Sequence, residues 1–253
     1  MPAGCRPPIQ GKMRPFPAMP YIENLSHMTA TNLNYDQARY NMVEQQVRPW
    51  DVLDPRVLKV ISRIPREHFA PAPHKALAYM DTRIPLAEFN GIAYTMMNPN
   101  VEGRVLQHLD IGEDDTVLEI GTGSGYLTAC LAALGRHVDS VDINPAMTEM
   151  AEENLASLGV RNINLSTGDA AKGWDQKRFY DAIALTGSMP TIPECFKQSL
   201  KVGGRLFVIT GNAPAMTAQL VTRLDKNDFT VQPLFETSIE RLSGTAEAER
   251  FIF

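Results

Sequence analysis

Three short stretches of this chain carry acidic side chains, two of them among glycines, at spacings that suit ligand binding. The first reads Glu119-Ile-Gly121-Thr-Gly123-Ser-Gly125. Glycine at alternate positions lets a backbone turn sharply and come close to a ligand. The second is Asp142, at the end of an alternating apolar segment about 20 residues further on. A carboxylate there can accept hydrogen bonds from both ribose hydroxyls of a nucleoside. The third is Gly168-Asp169-Ala170, where a ligand crevice would continue toward the base. Together they predict a nucleoside-type ligand, held by Glu119, Gly121, Thr122, Gly123, Ser124, Gly125, Asp142, Ile143, Gly168, Asp169 and Ala170.

Which nucleoside is decided by charge. Dinucleotide sites use a third glycine or alanine so that a pyrophosphate can rest on the helix N-terminus. Here Tyr126 follows Gly125. A carboxylate at Glu119 would also repel a pyrophosphate, whereas it suits a ligand bearing an ammonium and a sulfonium, as S-adenosyl-L-methionine does. A loop-orienting role is the competing reading of Glu119.

These residues need particular elements to hold them. Tyr35, Ala38, Met42, Val43 and Val47 recur at helical spacing up to Arg48-Pro49. Asp54-Pro55 caps a second helix, which carries Val57, Leu58, Ile61 and Ile64 and stops at Pro65. Residues 66–95 read as loops with short elements, and a helix restarts at Asn98-Pro99. From Thr116 onward, strands alternate with helices. Strands are predicted at 116–120, 137–142, 162–166, 180–185 and 204–210. Helices are predicted at 127–134, 145–158, 193–200 and 215–224. Segments 229–235 and 249–253 are candidate closing strands. This alternation predicts an α/β fold: a Rossmann-like, doubly wound, mostly parallel seven-stranded sheet with extra N-terminal helices.

Of 253 residues, 44% are hydrophobic and 21% charged, a globular balance. The net charge of −5 argues against a nucleic-acid partner, which calls for a basic face. No apolar run is long enough for a membrane span. Three scattered cysteines form no metal motif and fit a reducing, cytoplasmic setting; no Cys/His cluster suggests a metal. Six of the 18 prolines fall in the first 20 residues. The expected organisation is a disordered proline-rich leader at 1–33, with Met28 as a plausible start. A helical and loop subdomain at 34–110 would contribute to the acceptor site, and the ligand-binding domain would span 111–253.

Several separate motifs resemble one family. Pro65-Arg-Glu-His-Phe69-Ala-Pro71, Leu77-Ala-Tyr79-Met-Asp81 with Ile84-Pro-Leu86, Val117 to Tyr126, Tyr180-Asp-Ala-Ile183 and Leu200 to Arg205 are similar to segments of the protein-L-isoaspartate O-methyltransferases. These belong to the class I S-adenosylmethionine-dependent methyltransferases. The resemblance covers roughly residues 36–253. It implies S-adenosylmethionine as cofactor, O-methylation of a carboxylate, and a protein, peptide or small-molecule methyl acceptor. Carried over, Glu119, Gly121, Gly123 and Gly125 surround the methionine part, Asp142 holds the ribose, and Gly168 to Ala170 flank the adenine.

The chain departs from that family at one position. A T-I-S-x-P segment is expected before the helix leading to the glycine turn, its serine associated with activity at the substrate carboxylate. This chain reads Tyr94-Thr95-Met96-Met97-Asn98-Pro99. Met97 stands at the serine position and cannot donate a hydrogen bond. Thr95 and Met97 are therefore the candidate catalytic-segment residues, with isoaspartyl turnover expected to be low or absent. The residues leave open a small-molecule methyltransferase, a cofactor-binding module without turnover, and, more remotely, an NAD-dependent enzyme. Blander uses compete for several side chains: core packing for Met96-Met97, a turn for Thr95, a structural role for His68, packing for Cys130, and loop anchoring for Trp174.

Overall fold

The computed structural model describes residues 34–89, 91–175 and 177–245. The expected leader at 1–33 and the candidate strand at 249–253 lie outside them.

Helix α1 spans Tyr35–Met42 and is capped by Asn34, whose side chain accepts from the Gln37 amide at 3.0 Å. It continues through a wider turn to Val47 and then a tighter one to Trp50. Helix α2, Pro55–Arg63, starts as its sequence predicts. Asp54 accepts from the Arg56 amide at 2.8 Å, and Pro55 sits where its missing N–H costs nothing. Its buried face carries Val57, Leu58, Val60 and Ile61. A four-residue turn, α3 at Arg66–Phe69, follows Pro65. The region read as loops contains an antiparallel hairpin, β1 at Ile84–Phe89 and β2 at Ile92–Met96. Helix α4 runs Pro99–Leu109.

The alternating half follows in order: β3 Thr116–Ile120, α5 Tyr126–Leu134, β4 His137–Asp142, α6 Pro145–Ser157 and β5 Ile163–Thr167. Then come β6 Tyr180–Met189, α7 Glu194–Gln198, β7 Leu200–Asn212, β8 Ala215–Asp225 and β9 Asp228–Thr237. They build a seven-stranded sheet in the order β5-β4-β3-β6-β7-β8-β9. The strands from β5 to β7 are parallel, and β8 and β9 close the sheet antiparallel. This is the mostly parallel, doubly wound sheet that the sequence predicts.

One element is corrected. Residues 215–224 form strand β8, not a helix. Met216, Leu220, Val221 and Leu224 mimic helical spacing, but the strand is buried on both faces: Met216 and Ala218 pack in one core cluster and Val221, on the opposite face, in the other. The segment is rich in β-branched Thr217, Val221 and Thr222, which suit a pleated surface. It pairs on both sides, Leu206↔Val221 toward β7 and Val221↔Val231 toward β9. Cross-strand pairing and burial therefore override an ambiguous period. Helix α7 is also shorter than predicted, because Leu200 already belongs to β7.

The N-terminal helices share the sheet's core. Met42, Val47, Ile61, Leu106 and Leu109 pack in one cluster with Val117, Val138, Ala182 and Phe207. The other face of the sheet is covered by a second cluster containing Leu118, Ile183, Phe196 and Leu206. Packing on both faces leaves the C-terminal strand ends as the open edge, where a crevice can form.

Candidate active site

The crevice lies at the C-terminal ends of β3, β4, β5 and β6. Hydrogen bonding and close packing shape its floor. Gly121 has φ +99°, and a Cβ there would lie 2.1 Å from Thr186 Oγ1. That hydroxyl is 2.9 Å from the Ile120 carbonyl and 2.7 Å from the Gly121 carbonyl, so it holds the turn from β6. Gly123, at φ +55°, faces Leu86 of the hairpin. Gly125 serves packing instead: a Cβ would meet Ala151 and Leu155 of α6 at about 3 Å.

Glu119 is fully buried. Its Oε2 accepts from Thr128 Oγ1 at 2.5 Å and Ser140 Oγ at 2.6 Å, while Ser140 lies 2.7 Å from Thr122 Oγ1. Its Oε1 is buried without a hydrogen-bond partner. Burial raises the carboxyl to about 7; the Ser140 and Thr128 donors oppose that shift, and the Asp142 charge adds to it. An orphaned buried acceptor beside a glycine turn is suited to a cationic group.

Asp142 is also buried. It accepts from the Gly123 amide at 3.0 Å and the Asn144 amide at 2.9 Å. Burial raises its pKa, and those amides pull the other way. Each carboxylate oxygen keeps lone-pair capacity for a further donor. Asp142 and Ile143 line the crevice, as do Gly121, Gly123, Gly168 and Ala170. Glu119, Thr122 and Ser124 line a connected inner recess together with Glu102 and Tyr126. Asp169 is not brought to the wall: it is exposed and accepts from the Ala171 amide at 2.9 Å. Trp174 packs on Gly168, where a Cβ would meet its ring at 2.8 Å, so it braces the loop.

The opposite wall comes from the hairpin. Met97 lines both the crevice and the recess, and Met96 only the recess. Thr95 Oγ1 donates to Glu240 Oε2 at 3.2 Å. Glu240 also accepts from Arg83 at 2.8 Å. Away from the crevice, His68 Nε2 lies 2.7 Å from Ser157 Oγ, and Cys130 is fully buried.

Sequence reasoning missed the segment after β9. Ile239 to Ser243 crosses the crevice mouth, and its ladder with β6 fixes it there: the Ser188 amide donates to the Glu240 carbonyl at 2.8 Å, and the Leu242 amide to the Ser188 carbonyl at 3.0 Å. No motif announces these residues, since they act through backbone pairing. Thr186 was missed because β6 runs past the predicted end at Leu185; the extra length of that strand is the only available signal.

Among the described residues, no group of three or more His, Cys, Asp or Glu side chains is placed to hold a metal, and no helix is long and apolar enough to cross a membrane.

The parallel sheet, its antiparallel closing strands and the glycine turn after β3 define the class I methyltransferase fold. Residues 37–239 match the family model described as Protein-L-isoaspartate(D-aspartate) O-methyltransferase (PCMT). A protein-L-isoaspartate O-methyltransferase of Rhodopseudomonas palustris is 37% identical over 205 residues, covering 80% of this chain and 92% of that protein. A solved protein-L-isoaspartate O-methyltransferase superposes with a TM-score of 0.72 at 25% identity, covering 81% of this chain and 66% of that one. A Plasmodium falciparum structure holding S-adenosyl-L-homocysteine shares the fold, with a TM-score of 0.68 at 18% identity over 83% of this chain and 98% of that one. The chain belongs to the protein-L-isoaspartate(D-aspartate) O-methyltransferase family and is an S-adenosylmethionine-dependent methyltransferase.

Proposed function

We propose that the crevice binds S-adenosylmethionine along the β3–β5 edge and transfers its methyl group to a carboxylate presented beneath the hairpin. The observation that carries this reading is the pair of buried acids on either side of the glycine turn. Glu119 offers an unpartnered oxygen at one end, and Asp142 lines the crevice at the other. The first suits the methionine ammonium and the second the ribose hydroxyls. Gly121 and Gly123 leave the backbone bare between them. When bound, the cofactor supplies an electrophilic methyl on a sulfonium.

The chain's own residues contribute alignment and exclusion of water, which is the main demand of an in-line displacement. A carboxylate acceptor is already ionised at neutral pH and needs orientation, not deprotonation. Leu86, Ile92, Ala93 and Met97 make the hairpin side largely apolar. Met97 offers no hydrogen-bond donor, and the Thr95 hydroxyl is engaged with Glu240. Both features support weak turnover of isoaspartyl peptides and an acceptor oriented more by apolar contact than by a hydroxyl. The acceptor class is a protein or peptide carboxylate or a small-molecule acid, and the cytoplasm is the setting supported by few, scattered cysteines, of which Cys130 and Cys195 are free.

Calorimetric titration with S-adenosylhomocysteine tests the cofactor half, and absence of binding would sink the proposal. Methyl transfer to an isoaspartyl peptide, compared with a panel of small carboxylic acids, tests the acceptor half. Robust peptide turnover would show that Met97 does not limit the acceptor.

A further inference from the structure

Arg66 is completely buried, and its hydrogen bonds go to neither Glu119 nor Asp142. It sits at the start of α3, where Pro65 turns the chain after α2 and directs this side chain inward. Its Nη2 donates to the Met97 carbonyl at 2.5 Å. Its Nη1 pairs with Glu102 in the first turn of α4. Its guanidinium lies 4.8 Å from the centroid of the Tyr126 ring, the residue that opens α5 directly after the glycine turn. One planar cation therefore joins the hairpin-to-α4 segment, helix α4 and the cofactor turn.

A guanidinium presents its donors in a fixed fork, so two acceptors bound to it are held at a set distance and angle. Met97 lines both the crevice and the recess, and Glu102 and Tyr126 line the recess. The height of Met97 over the glycine turn is thus tied to a side chain that lies behind the wall. Burial raises Glu102 to about 8, and Arg66 is the cation that opposes this shift. The two side chains meet directly and are both buried, so a change in one is felt by the other.

We propose that Arg66 is a positioning residue for the acceptor segment: it holds residues 95–98 in register with the cofactor turn and acts through the Met97 carbonyl. The proposal rests on the reading of the crevice as a methyl-transfer site, and it concerns how the acceptor wall is held there.

The test compares the wild type with the double variant Arg66→Met/Glu102→Leu, which removes both charges together. Replacing a buried ion pair by apolar groups of similar volume is often tolerated, whereas removing one partner leaves an uncompensated charge. Amide hydrogen exchange is followed at residues 95–98, with strand β3 as the internal control for global stability. In the double variant, exchange at 95–98 is expected to rise about tenfold or more without ligand, while β3 stays protected. Unchanged exchange at 95–98 in a folded double variant overturns the proposal.

A second arm adds S-adenosylhomocysteine. Binding should still protect residues 121–125 in the double variant, showing that the cofactor turn itself remains formed. The turnover number on whichever acceptor the wild type uses should fall about tenfold or more, as expected for misplaced reacting groups. Arg66→Lys should keep the charge without the fork and recover neither the exchange pattern nor turnover. Full recovery by lysine would show a merely structural cation and overturn the assignment. Failure of the wild type to bind S-adenosylhomocysteine would instead overturn the methyltransferase-site reading, and the ligand-free exchange arm separates the two failures.

Discussion

The two sides of the crevice are built by different physics. The cofactor side is made of consecutive residues on β3, the following turn and the end of β4. Its polar groups are held by neighbouring elements: Thr128 on α5, Ser140 on β4 and the Gly123 amide in the turn. The acceptor side is assembled from pieces far apart in sequence. Thr95 meets Glu240, Arg83 meets the same carboxylate, and Arg66 reaches Met97. The first side is thus specified by a motif, while the second exists only once the hairpin, α4 and the C-terminal segment have docked. The motif-held side depends on a few neighbouring residues, whereas the docked side depends on which residues its separate pieces bring together.

The largest expected effect tests the motif-held side. Asp142→Ala should weaken S-adenosylhomocysteine binding by about 100-fold, because hydrogen bonds to a charged group are each worth about 1.5–3 kcal/mol. Calorimetry measures it, and a loss below a few-fold would mean that the ribose is not held there.

The next tests the docked side. Met97→Ser supplies a hydroxyl at the crevice wall and should raise isoaspartyl-peptide methylation by about tenfold, the value of one hydrogen bond of roughly 1.4 kcal/mol in the transition state. S-adenosylhomocysteine affinity should change little. If turnover stays flat while binding falls, the division between the two sides is misdrawn.

A pH test sharpens the role of Glu119. Its folded pKa of about 7 lies above its ordinary value of 4.5, so between those values the folded state holds more protons than the unfolded one. Ligand-free stability should therefore fall as pH rises from about 4.5 to about 7 and level off above. Glu119→Gln should flatten that slope in denaturant titrations at a series of pH values, and should weaken cofactor binding at pH 8. An unchanged slope would show that the carboxyl is ionised in the folded state throughout that range.

The smallest expected effect is at Thr95→Val, which removes the donor to Glu240 and should cost about 1 kcal/mol or less in stability. If the same change abolishes turnover without affecting cofactor affinity, Thr95 acts on the acceptor directly and not through the C-terminal segment.

Legibility followed the same division. The strand, turn and helix around Gly121 were readable because turn chemistry and burial act over a few residues, and Asp142 because it closes the neighbouring parallel strand. The place of Asp169 after β5 predicts a wall residue, but its side chain accepts from the nearby Ala171 amide. Strand β8 is not legible in the sequence because helical and extended spacing overlap in Met216 to Leu224, and only pairing with β7 and β9 separates them. Ile239 to Ser243 gave no signal, since their place depends on backbone bonds to Ser188.

By itself the sequence determined the α/β alternation, the glycine turn and the two acids, since each depends on local propensity and spacing. Tertiary structure decided the acceptor side. It set Met97 over the recess, tied Thr95 to Glu240, and buried Arg66 between three segments. Those arrangements depend on which distant surfaces can exclude water together while pairing most of their buried polar groups, a condition that spacing along a chain does not encode.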